Sequence, residues 1–378
     1  MSNNEIKISV IMPIYNAYDY LRPSMDTVLD QTLRDIEVIC IDDGSTDHSL
    51  DIIKEYSKRD ERIRIVTENN AGVSTARNKG IVRARGEYVM FLDADDFYEP
   101  DLLEKLYERA NADNLDVTCT LFDIYNDKHA RFTPGNRGDH SEIFDGGKVT
   151  SKSEHPDFIL ASTTGYVWNK LFRTSFIRDK ELTFAPELYI FEDVHFVCAA
   201  LSLAERVGRV DSVLVHHRVY SDQSRTKFFR KYYDQIPTVY LKIKEFLMAH
   251  GMYVPLSKSF ANLSLTRCYK TYNLLWNDAK ERFWDELHGG LADRLGWYQH
   301  EAADFEDPQA CDFAANVGLY THKQYQHRDG VGRRLKIDKL TKQILVKRIN
   351  RMLRIEKIKD KLSSIASKFK KKSSKKDK

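Results

Sequence analysis

Residues 88–96, Tyr88-Val89-Met90-Phe91-Leu92-Asp93-Ala94-Asp95-Asp96, decide the fold of this chain. Five consecutive apolar residues suit a strand buried on both faces, the habit of parallel sheets. The run stops on three carboxylates in four residues, so its carboxyl end is delivered to a polar surface. Upstream, Val73–Arg83 reads as a helix, Arg62–Thr67 as a strand, Asp47–Arg59 as a helix and Ile36–Ile41 as a second buried strand. Earlier still, Tyr18–Gln31 sets Leu21, Met25, Val28 and Leu29 near a helical period, and Ile8–Ile14 is a short run rich in β-branched residues. Downstream, Pro100–Ala110 reads as a helix and Asp116–Phe122 as a fifth strand. This alternation predicts βαβ crossovers: an α/β fold with a mostly parallel, Rossmann-like sheet and helices on both faces. Ligands of such sheets lie beyond the carboxyl ends of the strands.

Four strand ends therefore meet at one edge: Pro13-Ile14-Tyr15-Asn16, Asp42-Asp43-Gly44-Ser45-Thr46-Asp47, Asn69-Asn70-Ala71-Gly72-Val73-Ser74 and Asp93-Ala94-Asp95-Asp96. A carboxylate after the second strand can accept from a base N–H or a ribose hydroxyl. Its plain alternative is helix capping by Ser45, Thr46 and Asp47. Gly72 permits close backbone approach, and the helix N-terminus after it can face a phosphate. Asp93, Asp95 and Asp96 repel one another unless a cation or water compensates. Hard Mg²⁺ or Mn²⁺ takes one or two such carboxylates plus substrate phosphates, and would neutralise charge on a departing diphosphate. The plain alternative is a solvated acidic turn.

Taken together, Ser9–Asn16, Ile41–Asp47, Gly72 with Ala76-Arg77-Asn78-Lys79-Gly80, and Gly86-Glu87-Tyr88 with Phe91–Asp96 resemble glycosyltransferase family 2, in its capsule- and exopolysaccharide-type bacterial form. The resemblance is close over residues 6–113 and looser to about residue 225. It implies the GT-A fold and inversion at the sugar carbon. It implies that Pro13, Tyr15 and Asp43 hold the nucleobase and ribose, that Gly72 lines the nucleotide pocket, that Asp93 meets ribose or metal, and that Asp95 is the metal ligand. Arg77 and Asn78 match the pattern too, at the pocket edge or in packing.

An inverting transferase needs a base for the acceptor hydroxyl. The resemblance puts it in Phe191-Glu192-Asp193-Val194, at Asp193 with Glu192 as the alternative; both also suit a helix first turn. Trp168-Asn169-Lys170-Leu171-Phe172-Arg173 resembles a segment of the same enzymes. There Trp168 would stack on a sugar and Lys170 or Arg173 would meet phosphate, against core and surface alternatives. His217 and Arg218 follow the strand-like run Ser212–Val215, where similar enzymes close a loop over the diphosphate; the plain alternative is a hydrogen-bonded structural histidine.

The rest of the chain bounds the reading. Residues 126–156 are polar and read as a long loop. Residues 226–330 are aromatic-rich and mainly helical, with helices expected at Tyr233–His250 and Ser259–Trp276. The organisation expected is a catalytic domain over 1–225, a helical region over 226–330 and a tail over 331–378. That tail carries 19 Lys/Arg against 4 Asp/Glu, a net of +15, so residues 1–330 hold −12 of the whole chain's +3. Its stripe Ile337, Leu340, Ile344, Leu345, Ile349, Met352, Leu353 suits an anionic membrane surface; the plain alternative is a helix packed on the body followed by a solubilising tail. Its poverty in aromatics argues against nucleic acid. Five scattered cysteines without a CxxC pair, no signal-peptide core and no long apolar window fit a cytoplasmic enzyme at the inner face of the cell membrane. No QxxRW sequence is present, which fits non-processive transfer. The function expected is transfer of a sugar from a nucleotide diphosphate, UDP by resemblance, to a lipid-linked or growing cell-surface glycan. The rivals are a catalytically silent partner and a sugar nucleotidyltransferase, whose glycine-rich loop is missing after the first strand.

Overall fold

The computed structural model describes residues 6–219 and 232–329. These fall into two compact units that divide after Thr271. The expected boundary at residue 225 and the tail 331–378 lie outside the described residues.

In the first unit, β1 (Ile8–Ile14), β2 (Ile36–Asp42), β3 (Ile63–Thr67) and β4 (Tyr88–Phe91) pair in parallel in the order β3-β2-β1-β4. The helices α1 (Tyr18–Leu29), α2 (Ser49–Ser57) and α3 (Val73–Arg83) are the crossovers. Every residue of β2 is buried, its apolar majority together with Glu37, which is paired with Arg64 and Arg85. Packing of α3 on β1 is close: a Cβ on Gly80 would fall 2.3 Å from Ile11 Cγ2.

Beyond β4 the sheet becomes mixed. The short β5 (Phe97–Tyr98) and α4 (Leu102–Ala112) precede β6 (Val117–Asn126), which pairs in parallel with β9 (Val207–Val219). β8 (Lys170–Arg173) lies antiparallel between β4 and β6. It was not expected, because only Leu171-Phe172 mark it as a strand. The long loop expected over 126–156 is interrupted at its start. β6 turns through Ala130, at φ 46°, into β7 (Arg131–Pro134), an exposed hairpin arm that carries no apolar alternation to announce it. α5 (Thr174–Asp179) and α6 (Glu192–Leu203) cover this half, followed by α7 (Gln235–Ala249) and α8 (Tyr253–Leu274).

The second unit is helical: α9 (Asn277–Glu286), α10 (Ala292–Leu295), α11 (Pro308–Leu319) and α12 (His322–Asp329). Asp307 caps α11 by accepting from Gln309 N at 2.8 Å and Ala310 N at 3.2 Å, with Pro308 in the first turn. Its core is aromatic, with Trp284 stacked on Tyr325 at 4.3 Å and meeting Phe313 edge-on.

Candidate active site

The carboxyl ends of β1, β2 and β4 open on one edge, and their loops are laced together. Asn16, at φ 49°, accepts from Thr46 N at 2.8 Å, while its own N–H donates to Ser45 Oγ at 3.2 Å. Tyr15 stands half exposed beside this turn. Asp43 is buried, and its two oxygens accept from Ala71 N (2.7 Å) and Gly72 N (2.9 Å), tying the second loop to the third. Its neighbour Asp42 holds a buried Oδ1 with no hydrogen-bond partner among the described residues. Such an acceptor is costly until a donor meets it. Gly72 adopts φ 86°, a conformation disfavoured for L side chains, and a Cβ there would touch nothing within 4 Å. The backbone opening α3 therefore faces open space.

The acidic turn after β4 meets α6 through one arginine. Arg77, buried on α3, donates through Nη2 to Asp93 Oδ1 at 2.9 Å and through Nη1 to Glu192 Oε1 at 3.1 Å. Burial works against its charge, but Asp93, Glu192 and Asp193 outweigh that and hold it firmly protonated. Tyr98 OH and Ser24 Oγ donate to the Asp93 carbonyl, at 2.8 and 3.3 Å, and pin the turn. Burial, then repulsion from Asp96 and Asp93, pushes Asp95 up to about 7. A divalent cation relieves that repulsion, and an all-oxygen donor set fits Mg²⁺ or Mn²⁺. No group of three or more His, Cys, Asp or Glu able to hold a metal occurs among the described residues.

Glu192 and Asp193 open α6 after Phe191, a non-glycine residue at φ 55°. Glu192 is buried against Arg77, whereas Asp193 is partly exposed. Burial, then the neighbouring Glu192 charge, pushes the Asp193 carboxyl up to about 7. The two carboxylates left as alternatives by the sequence thus occupy different environments.

Several expectations are corrected. Trp168 is not open to a sugar: its indole is 3% exposed, stacked on Tyr166 (4.7 Å) and His217 (5.1 Å) and met edge-on by Phe122. The accessible ring of this cluster is Tyr166, 38% exposed. Lys170 does not reach a phosphate either. Its ammonium is fully buried and donates to the carbonyls of Thr164 and Tyr166, both at 2.7 Å, and to Asn169 Oδ1 at 2.9 Å. Burial lowers it to about 8. Arg173 packs on the Tyr88 ring and donates to Leu115 O, at the opposite end of β4 from the acidic turn.

His217 and Arg218 do reach the site, as clamps on the acidic turn. His217 Nδ1 donates to both oxygens of buried Asp96 at 3.1 Å, and these carboxylates overcome burial to raise it to about 9. Arg218 donates to Asp95 O (2.9 Å), pairs with Asp127 and lies over the rings of Tyr20, Phe97 and Tyr125. Asn78 clamps the segment at Phe184 by two bonds of 2.8 Å. Sequence reasoning gave Asp96 no role of its own, missed Tyr166 and left Arg77 at the pocket edge or in packing. Only Asp96 had a signal, as the third acid of its turn.

This combination, a parallel half-sheet with an acidic turn after β4 facing an acidic helix start, defines a GT-A glycosyltransferase. The model of glycosyl transferase family 2 matches residues 9–178, and the chain belongs to that family. It is 31% identical over 247 residues to the putative glycosyltransferase EpsH of Bacillus subtilis, covering 65% of this chain and 70% of EpsH. It is 34% identical over 215 residues to the uncharacterized glycosyltransferase EpsJ of the same organism. There the match covers 56% of this chain and 60% of EpsJ, so this chain spans somewhat less than two thirds of that relative. In fold it is similar to S. aureus TarS 1–349 in complex with UDP-GlcNAc, with a TM-score of 0.65 at 20% identity over 86% of this chain and 92% of that one. No helix among the described residues is long and apolar enough to cross a membrane.

Proposed function

We propose that this enzyme is an inverting, metal-dependent transferase that moves a hexosyl group from a UDP-sugar to a hydroxyl of a lipid-linked or growing cell-surface glycan, non-processively. The observation that carries the reading is the pair of acidic centres, Asp93–Asp95 and Glu192–Asp193, joined through Arg77. Pro13, Tyr15, Asp43 and Gly72 hold the nucleotide in this reading, and the buried acceptor on Asp42 adds to them. Asp95, with Asp93, would hold Mn²⁺ or Mg²⁺, whose charge would offset that of the leaving diphosphate. Asp193 accepts the acceptor's hydroxyl proton as that oxygen bonds to the sugar carbon; the bond from that carbon to the diphosphate breaks, and the nucleoside diphosphate leaves with the electron pair. A largely buried carboxyl at about 7 that keeps some access to solvent suits that task near neutral pH, while Glu192, held by Arg77, suits a supporting one. UDP is favoured because TarS has been solved with UDP-GlcNAc. The catalytic part is residues 1–225, followed by a helical region to 330 and a basic tail that holds the enzyme on the inner face of the cell membrane. The test is a donor screen on purified protein, with and without Mn²⁺, reading released nucleoside diphosphate. Release from no donor, or only from a nucleoside triphosphate, would overturn the reading.

A further inference from the structure

Beside Asp193 lies an arginine that none of the roles above uses. Arg267 reaches in from α8, with its guanidinium carbon 5.2 Å from the centre of the Phe191 ring, the residue that opens α6. It donates to the hydroxyl of buried Tyr240, and its charge acts on Tyr166 and Asp193. Other arginines near this end of the sheet are spent on carboxylates: Arg77 on Asp93 and Glu192, Arg218 on Asp127. Arg267 has a hydroxyl and a ring as its neighbours and forms no ion pair among the described residues.

The wall opposite is rigid. The loop carrying Tyr166 is pinned by Lys170 to the carbonyls of Thr164 and Tyr166. At Gly165 it presses so closely on α6 that a Cβ would lie 2.7 Å from Val194 Cγ2. The accessible face of Tyr166, the carboxyl of Asp193 and the guanidinium of Arg267 therefore come together from three elements around the first turn of α6. With Asp193 as the base, the acceptor approaches on this side, where Asp193 is partly exposed and Glu192 is buried.

We propose that Arg267, with Tyr166 and the first turn of α6, forms a subsite for an oxyanion carried by the acceptor, a phosphate or a carboxylate close to the hydroxyl that receives the sugar. The inference rests on the reading of Asp193 as the base. Arg267 is suited because a planar guanidinium pairs with phosphate or carboxylate through two donors at once. A partly dehydrated cation without a direct ion pair gains more from such a partner than a solvated one. The amino end of α6 favours the same sign of ligand. Tyr166 supplies an apolar face for the sugar or polyol carrying the anion.

The test uses full-length protein saturated with UDP and Mn²⁺. Binding of glycerol 3-phosphate is compared with glycerol, and of methyl glucuronide with methyl glucoside, by ligand-observed NMR titration. The same titrations are run on Arg267→Gln and Arg267→Lys. In wild type one charged probe should bind at least about tenfold tighter than its neutral partner, equal to ~1.4 kcal/mol. Which pair responds tells phosphate from carboxylate. The preference should vanish in Arg267→Gln and survive in part in Arg267→Lys, with UDP affinity equal in all three. Equal binding of charged and neutral probes to wild type, or an undiminished preference in Arg267→Gln, overturns the subsite. Should Arg267→Gln fail to fold, wild type and Arg267→Lys still decide it. Loss of UDP binding in wild type would overturn the transferase reading instead, and is read on the same samples.

Discussion

Arg77 Nη1 donates to Glu192 Oε1 at 3.1 Å, although the residues stand 115 positions apart. The contact separates two adjacent acids that look equivalent in sequence. Glu192 is neutralised by a buried cation; Asp193, one position on, is lifted by burial and by the Glu192 charge and retains access to solvent. Two carboxyl groups pushed into different environments can be assigned different tasks.

Replacing each acid in turn should give opposite signatures. Asp193→Asn should lose turnover by about 10²–10⁴-fold, the usual contribution of a base, while calorimetry finds UDP affinity unchanged. Glu192→Gln should cost about 1–3 kcal/mol of stability in a denaturant titration, because Arg77 loses a charged partner inside the protein. An active Asp193→Asn beside a dead but stable Glu192→Gln would exchange the roles.

Turnover should also rise with pH through about 7, where Asp193 loses its proton. The sign for stability is opposite. A carboxyl raised in the fold contributes stability below its unfolded value, and that contribution is lost as pH climbs through about 7. A pH–rate profile on wild type should show this acidic limb. A profile at saturating donor with the same midpoint in Asp193→Asn would remove the assignment.

At the acidic turn after β4, Asp95→Ala should fold and still lose all but a tenth or less of transfer in saturating Mn²⁺, a barrier rise of at least ~1.4 kcal/mol. Chelation of the wild type should have the same effect and be reversed by adding Mn²⁺ back. Donor-hydrolysis assays report both.

His217 makes a separate prediction, about stability alone. Raised to about 9 by its Asp96 partner, it contributes stability that is complete below its ordinary 6.5 and is lost as pH rises through about 9. Between about pH 7 and 10, wild type should lose on the order of 1–3 kcal/mol more than His217→Gln. Parallel thermal melts of the two proteins across that range check it.

For the tail, the cut belongs after Gly330. α12 runs to Asp329, and Tyr325 stacks on Trp284, so an earlier cut would open the aromatic core of the second unit. The truncated protein should remain soluble and release nucleoside diphosphate. It should no longer sediment with phosphatidylglycerol vesicles that bind the full chain at low salt and release it partly at high salt. Equal vesicle binding by both forms would refute membrane attachment through the tail.

Much of this protein was determined by sequence alone. Ile8–Ile14, Ile36–Asp42 and Tyr88–Phe91 are strands because their short, largely apolar runs suit burial inside a covered sheet. The acids at 42–43, 93–96 and 192–193 were legible because they interrupt apolar patterns where a strand ends or a helix starts. Tertiary structure decided the partners. β8 and β7 carry too little periodicity to be seen, and exist because β4 and β6 offer them free edges to pair with. Trp168 and Lys170 look like ligand-facing residues in sequence, yet burial turned one into a packing ring and the other into a clamp on the Tyr166 loop. Arg77, Asp96 and Arg267 acquire their meaning from residues about 75 to 120 positions away. Local sequence specifies which groups can be charged and where elements begin. Which charge faces which is set by long-range packing, because electrostatic and hydrogen-bond energies depend on distance and burial rather than on order along the chain.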